Sequence, residues 1–295
     1  MNVLRRYKLL LSITLALVVA SWLAVAILGI RPGIDFTGGT EWHITISDVS
    51  VVPADLESFF DSELNIGVVV KYLGEQGILI RLPNITEAQH QEYLLALNET
   101  YGIVHEQSFA SVGPVIGKEL RQKSLWAVVG VLLGISLYTA WAFRKVSRPI
   151  RSWKYGVVAL LTLLHDVSIP LGVFAVFGYV SGVEIDTTFI VALLVVMGFS
   201  VHDTIVVFDR IRENILESYH KKASLREIIN RSINETIMRS VNTSLTLLFI
   251  LGMMLAIGPP TLFYFILTVF IGTVVGTYSS LFVASPLLYA WGKDR

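Results

Sequence analysis

Six stretches of this chain, residues 9–30, 125–143, 155–180, 186–208, 240–257 and 261–290, are apolar and nearly free of charge. Each has roughly the 20 residues that an α-helix needs to cross a hydrocarbon core about 30 Å thick. Backbone amides in hydrocarbon find no water, so each stretch must satisfy its own hydrogen bonds as a helix. Composition agrees: 54% of the 295 residues are hydrophobic and only 16% charged, with a mean hydropathy of +0.65. The first stretch follows Arg5, Arg6 and Lys8, as a signal peptide would, and Ala24-Val25-Ala26 has the small residues of a cleavage site. Its apolar run exceeds the 7–15 residues of a signal h-region, which favours an uncleaved helix. With no cysteine, the chain has neither disulfides nor thiolate-ligated metals.

Residues 31–123 read differently, as a polar and acidic α+β domain. Strands are expected at 42–47, 68–73, 77–82 and 103–109, with a turn over Gly74-Glu-Gln-Gly77 between the middle pair. Helices are expected at 53–64 and 86–97, the second with Thr86 as N-cap. The order β-α-β-β-α-β suggests a small ferredoxin-like domain. The expected organisation is therefore residues 1–30 as N-terminus and first helix, 31–123 as the α+β domain, and 124–295 as helices two to six with basic loops.

Lysine and arginine orient the six helices. Residues 1–8, 144–154, 210–239 and the C-terminus hold 17 of the 23 basic residues, all on one side of a six-helix arrangement. The opposite side holds six, against 15 acidic residues. By the positive-inside rule both termini are cytoplasmic and residues 31–123 extracytoplasmic.

An ionisable side chain in hydrocarbon is costly and marks function by default. Asp166 in the third helix, Asp203 in the fourth and Arg239 at the start of the fifth are such groups. At 1.5 Å per residue, Asp166 lies about 16 Å and Asp203 about 10 Å from the cytoplasmic helix ends. Arg239 enters from the cytoplasm at a depth comparable with Asp203. Two readings remain open on the residues alone: a proton or ion pathway in which Asp203 titrates, and a static Asp–Arg pair that fastens two helices. Desolvation offsets most of a buried pair's attraction, and apolar residues would fasten helices more simply.

Other chemistries fit poorly. The dipeptides His165-Asp166 and His202-Asp203 lack the companion spacing of a zinc site, so no metal is expected. An intramembrane aspartyl protease would need two adjacent carboxylates sharing a proton, with no arginine keeping one ionised. The run Gly33-Ile-Asp-Phe-Thr-Gly-Gly39 lacks the Gly-Lys-Ser/Thr of a phosphate loop and reads as a tight turn into the first strand. Gly272, Gly276, Ser279 and Ser280 suit close packing in helix six. Residues 224–234 read as an amphipathic helix at the membrane interface, with Asn234-Glu-Thr turning into helix five.

Four segments together resemble a known family: Gly33-Ile-Asp-Phe-Thr-Gly-Gly-Thr40, Leu164-His-Asp166, Val201-His-Asp-Thr-Ile-Val-Val-Phe-Asp-Arg-Ile-Arg-Glu-Asn214 and Ser232-Ile-Asn-Glu-Thr-Ile-Met-Arg-Ser240. They are similar to SecF, the protein-export membrane subunit that works with SecD, within the resistance-nodulation-division superfamily. The resemblance covers nearly the whole chain. It implies six transmembrane helices in the cytoplasmic membrane and one extracytoplasmic domain after the first helix. It implies a non-enzymatic role in which, with SecD, the proton-motive force helps draw unfolded preproteins from the SecYEG channel. It implies proton coupling through Asp203 and Arg239, with Asp166 secondary and His202 beside the relay where many relatives have Asn. Gly33, Asp35, Gly38 and Gly39 form the family's signature turn. The proton is the coupling ion and no cofactor is implied; the partners are SecD, SecYEG, preprotein and membrane lipid, with no nucleic acid. Two alternatives stand beside this reading: a self-sufficient proton-driven exporter of lipid or small molecules, and a purely structural assembly factor.

Overall fold

The computed structural model describes residues 2–46, 51–73, 77–144, 150–218 and 223–292. The expected turn over 74–76 and the last residue of the first expected strand lie outside them. The chain forms two compact units, Met1–Arg31 with Leu125–Arg295, and Pro32–Ser124.

The helical unit contains α1 (Tyr7–Leu28), α5 (Pro114–Ala142, of which the last part belongs here), α6 (Ser152–Ser181), α7 (Thr187–Glu217), α8 (Leu225–Ile257), α9 (Phe263–Ser279) and α10 (Ser285–Gly292). A π-helical turn, Ser280–Ala284, joins the last two. Among the described residues, six helical stretches are long and apolar enough to cross a membrane, counting α9 to α10 as one. They differ in how much they bury. The apolar windows of α6, α7 and the last stretch are 56%, 44% and 61% buried, against 0%, 11% and 17% for α1, α5 and α8. So α6, α7 and α9 form the interior, and the outer helices turn apolar side chains such as Leu15, Ile27, Leu137 and Phe249 outward. Those faces need lipid or protein against them. Near one end of the unit an aromatic cluster packs Tyr155 on Phe143 (4.9 Å between ring centres) and Phe208 (5.3 Å).

Small residues set the closest crossings. A Cβ on Gly172 of α6 would stand 2.6 Å from the Cα of Ser21 on α1, so only glycine admits that approach. The expected interface helix over 224–234 is not separate: α8 runs unbroken from Leu225 to Ile257. Ser224 caps it through the Glu227 backbone N–H, and Ile228, Ile229, Ser232, Ile233 and Thr236 form a continuous buried stripe through the expected turn. With that stripe packed, nothing stops the helix at Asn234.

The second unit contains α2 (Ile34–Thr37), β1 (Gly39–Ile46), α3 (Pro53–Ser62), β2 (Val69–Leu73), β3 (Gly77–Leu82), α4 (Glu87–Tyr101) and β4 (Val104–Val112). The four strands form one antiparallel sheet in the order β2-β3-β1-β4. Alternating side chains of β1 and β3, with Trp42, Ile44, Ile78 and Ile80, cover one face and pack with Leu56, Phe60, Tyr93 and Leu97 of α3 and α4. Thr86 caps α4 as expected, accepting from the Gln89 backbone N–H. Between His43 and Ile44 the pairing of β1 with β4 slips by one residue, leaving Gln107 as the extra residue of a bulge.

Candidate functional site

Asp203 lies on the buried face of α7 and is 3% exposed. Its Oδ2 is buried and has no hydrogen-bond partner among the described residues. Among the described residues no Lys, Arg or His nitrogen lies within 4.0 Å of its carboxylate. Burying a carboxylate without a partner is expensive in its ionised form, and the cost falls when it binds a proton or when a cation approaches.

Arg239 does not supply that cation here. No ion pair within 4.0 Å joins it to a carboxylate among the described residues, and it is exposed. The geometry of the α7–α8 hairpin explains why. Asn214 donates to the Ser232 hydroxyl at 2.9 Å and Arg210 Nε to Glu235 at 2.7 Å. Counting along both antiparallel helices from these bonds, Asp203 is level with Asn242 and Thr243. Arg239 is level with Val206 and Val207, about one turn, or about 5 Å, nearer the hairpin connection. Similar depth was legible in the sequence; contact is absent.

Val206 and Arg239 instead share a cavity of about 660 Å³, lined also by Asp209, Arg210, Glu213, Glu235 and Thr236. Its charges are mostly matched: Arg210 pairs with Glu213 (2.5 Å) and Glu235 (2.7 Å), and Asp209 with Arg212 (3.2 Å). Among the described residues lining it, Arg239 is the cation left without a carboxylate. Residues three apart share a helix face, so Val206 separates Asp203 from this polar space by one turn.

Asp166 has the opposite environment. It is 0% exposed, and its Oδ2 accepts hydrogen bonds from Ser200 of α7 and from Ser279 of α9, the latter at 2.9 Å. Its Oδ1 meets His165 Nδ1 at 2.8 Å, and His165 Nε2 meets the Tyr278 hydroxyl at 2.7 Å. The π-helical turn begins directly after Tyr278 and Ser279, where extra turn width often accompanies function. This cage ties α6, α7 and α9 together. Ser200 is three residues from Asp203 on α7, so the cage stands one turn from the unpartnered carboxylate on the same helix face.

His165, Ser200, Tyr278 and Ser279 were not foreseen as site residues. The repeated His-Asp dipeptide was the available signal, but it pointed equally to His202. His202 is exposed, whereas His165 is 3% exposed and bonded at both nitrogens. The Gly33–Thr40 run lies in the second unit. There Ile34–Thr37 makes one helical turn, and Gly38 and Gly39 take φ of 75° and 126°. A Cβ at Gly38 would stand 2.9 Å from the Pro114 Cα, so this turn abuts the start of α5 backbone to backbone. It is a structural joint carrying Asp35 in its helical turn. Among the described residues, no group of three or more His, Asp or Glu side chains is placed to hold a metal.

Comparison with known proteins gives three findings. Residues 94–294 match the family model for "Protein export membrane protein SecD/SecF, C-terminal". The chain is 43% identical over 294 residues to a protein of Thermobaculum terrenum named "Protein translocase subunit SecF", covering 96% of this chain and 91% of that one. The crystal structure of SecDF from Thermus thermophilus, described as a translocon-associated membrane protein, superposes with a TM-score of 0.82 at 34% identity. That match covers all of this chain and 39% of the longer SecDF chain.

Proposed function

The chain belongs to the SecD/SecF family of protein-export membrane proteins, on its SecF side, and we propose that it couples proton movement to preprotein export together with a SecD partner. Relatives are named translocase subunits rather than catalysts, which supports a non-enzymatic transport role. In this reading the helices cross the cytoplasmic membrane with both termini in the cytoplasm. Residues 31–123 form a ferredoxin-like extracytoplasmic domain, for which the β-α-β-β-α-β order and the β2-β3-β1-β4 sheet are the support.

The observation that carries the proposal is the buried, unpartnered oxygen of Asp203, one turn from a polar cavity that holds an unpaired arginine. Asp203 binds and releases the proton. The cavity, on the cytoplasmic side by the positive-inside assignment, is the vestibule through which the proton leaves, with Val206 as the apolar seal. Arg239 moves toward Asp203 when the carboxylate is charged and stays in the cavity when it is neutral. Asp166 is held by its cage and secures the three inner helices while its neighbour titrates. The proton is the coupling ion, and no cofactor enters.

A partner is supported by the outer face of α8. Arg239, Asn242, Thr243 and Thr246 are exposed and share one face at intervals of three and four residues. Polar groups on a hydrocarbon-facing surface are costly, so this stripe suits contact with another polar-bearing helix. The Thermus chain named SecDF carries the matching part within a longer polypeptide, which supports SecD as the occupant. SecYEG and unfolded preprotein follow as the wider assembly. Co-purification with SecD, followed by export assays of Asp203→Asn with and without a proton gradient, tests the proposal. Export that keeps its full gradient dependence in the folded variant contradicts it, and a functional homodimer free of SecD favours a self-sufficient exporter.

A further inference from the structure

We propose that His90 is a proton-operated latch that fastens α4 to β4, closed while the imidazole is protonated and loosened when it loses its proton. The ring is buried, 3% exposed, between α4 and β4 of the α+β unit. Its Nε2 lies 2.6 Å from Glu106 Oε2 of β4 and its Nδ1 3.2 Å from Glu87 Oε1 one turn back on α4. Phe109 of β4 stacks on the ring at 3.7 Å, and Trp42 of β1 meets it edge-on at 4.8 Å while donating its indole N–H to the same Glu106 oxygen at 2.9 Å. Glu87 and Glu106 are the charged groups that face the ring. No lysine or arginine among the described residues pairs with either carboxylate.

A neutral imidazole donates from one nitrogen and accepts at the other, whereas the imidazolium donates from both. With a carboxylate at each nitrogen, only the imidazolium satisfies both contacts; the neutral ring turns a lone pair toward a carboxylate oxygen. A leucine at this position would fill the space without charge. The strand is shaped for the charged arrangement. Glu106 and Phe109 are an odd number of residues apart, so a regular strand would point them to opposite faces. The bulge at Gln107 brings both to the His90 side. Proton access is built in as well, since the Glu87 side chain is 70% exposed and that of Glu106 33% exposed.

The sign follows from the donor count: only the ring that donates from both nitrogens reaches both carboxylates, so the latch holds α4 to β4 in the protonated form and loosens in the neutral one. Glu87 bounds the other end. Hydrogen bonds from Gln91 and then from His90 hold its carboxyl below the usual carboxylate range, so its share is lost only as pH falls through that lowered value. β4 ends at Val112 and α5 starts at Pro114, so the latched strand is the one that leads directly into an apolar helix.

Hydrogen–deuterium exchange of the full-length protein in detergent, read on peptides of α4 and β4 at about pH 5.5 and 8.5 and corrected for intrinsic rates, tests the latch. In the wild type, protection should fall at the higher pH by about tenfold or more, the scale of one charge-assisted hydrogen bond. His90→Phe, which keeps the stack, should show equal protection at both values. Glu106→Gln, which keeps the histidine, should reduce the ratio below about threefold and carries the test should the first variant unfold. Protection in the wild type that does not change with pH overturns the proposal, as does a pH ratio left unchanged in Glu106→Gln.

Discussion

Asp166 and Asp203 are both buried and both neighbour Ser200 of α7, yet the first is caged by Ser200, Ser279 and His165 while the second has an oxygen with no partner among the described residues. Ser200 belongs to both settings, bonded to Asp166 and three residues from Asp203. A carboxylate whose bonds are all made resists change. One whose bonds are missing is ready to accept a proton or a cation. The division of labour between the two aspartates follows from that contrast.

Stability should therefore separate them. Asp166→Ala leaves the Ser200 and Ser279 hydroxyls and the His165 ring without their buried acceptor, at about 1–3 kcal/mol for each unsatisfied group. The purified variant should lose yield and melt several degrees lower. Asp203→Asn removes no bond that the structure shows and should melt within a degree or two of wild type. Thermal unfolding of both variants in one detergent makes the comparison.

Arg239 should be dispensable for folding and needed for coupling. It is exposed and unpaired, so Arg239→Gln should change stability by no more than about 0.5 kcal/mol. Gradient-driven export should nevertheless fall toward the level seen without a gradient. A large loss of stability in this variant would show instead that the arginine fastens helices.

The cavity can be mapped directly because the chain has no cysteine of its own. Single variants Asp209→Cys, Val206→Cys and Asp203→Cys should react with a small charged thiol reagent in descending order. Position 209 lines the open cavity, position 206 forms its inner wall, and position 203 lies beyond that wall. Equal labelling at 203 and 209 would mean that Val206 seals nothing.

Gly38 should tolerate no side chain. Its φ of 75° and its approach to Pro114 both oppose a Cβ, so Gly38→Ala should destabilise the α+β unit by more than the roughly 1 kcal/mol expected of the backbone alone. Gly102, with φ of 79° and open space around it, should suffer only the backbone cost in Gly102→Ala. Proteolysis rates of the two variants within residues 32–124 compare them.

Much of the fold was legible in the sequence because hydropathy and the α+β pattern act locally. The apolar stretches, the alternation of β1 and the Thr86 cap each need only a few neighbouring residues. Asp203 was legible for the same reason, as a charge in an apolar run. The Asp166 cage was not, because Ser200 and Ser279 are 34 and 113 residues away from it and become partners only through helix packing. His165 and His202 look alike in sequence, and the face each occupies decides that the first is buried and bonded and the second exposed. Depth suggested an Asp203–Arg239 contact. The hairpin register, set by the Asn214–Ser232 and Arg210–Glu235 bonds, holds the arginine one turn away. The unbroken α8 escaped prediction because the amphipathic residues 224–234 resemble an interfacial segment until α7 covers their buried stripe.

Proton coupling turns on whether Asp203 itself takes up and releases a proton. Infrared difference spectra of the protein with its SecD partner, recorded across a pH jump, report protonated carboxyl groups through their carbonyl band. A titrating Asp203 should give a band that shifts in heavy water, persists in Glu235→Gln and is missing in Asp203→Asn. Identical difference spectra for wild type and a folded Asp203→Asn would contradict it.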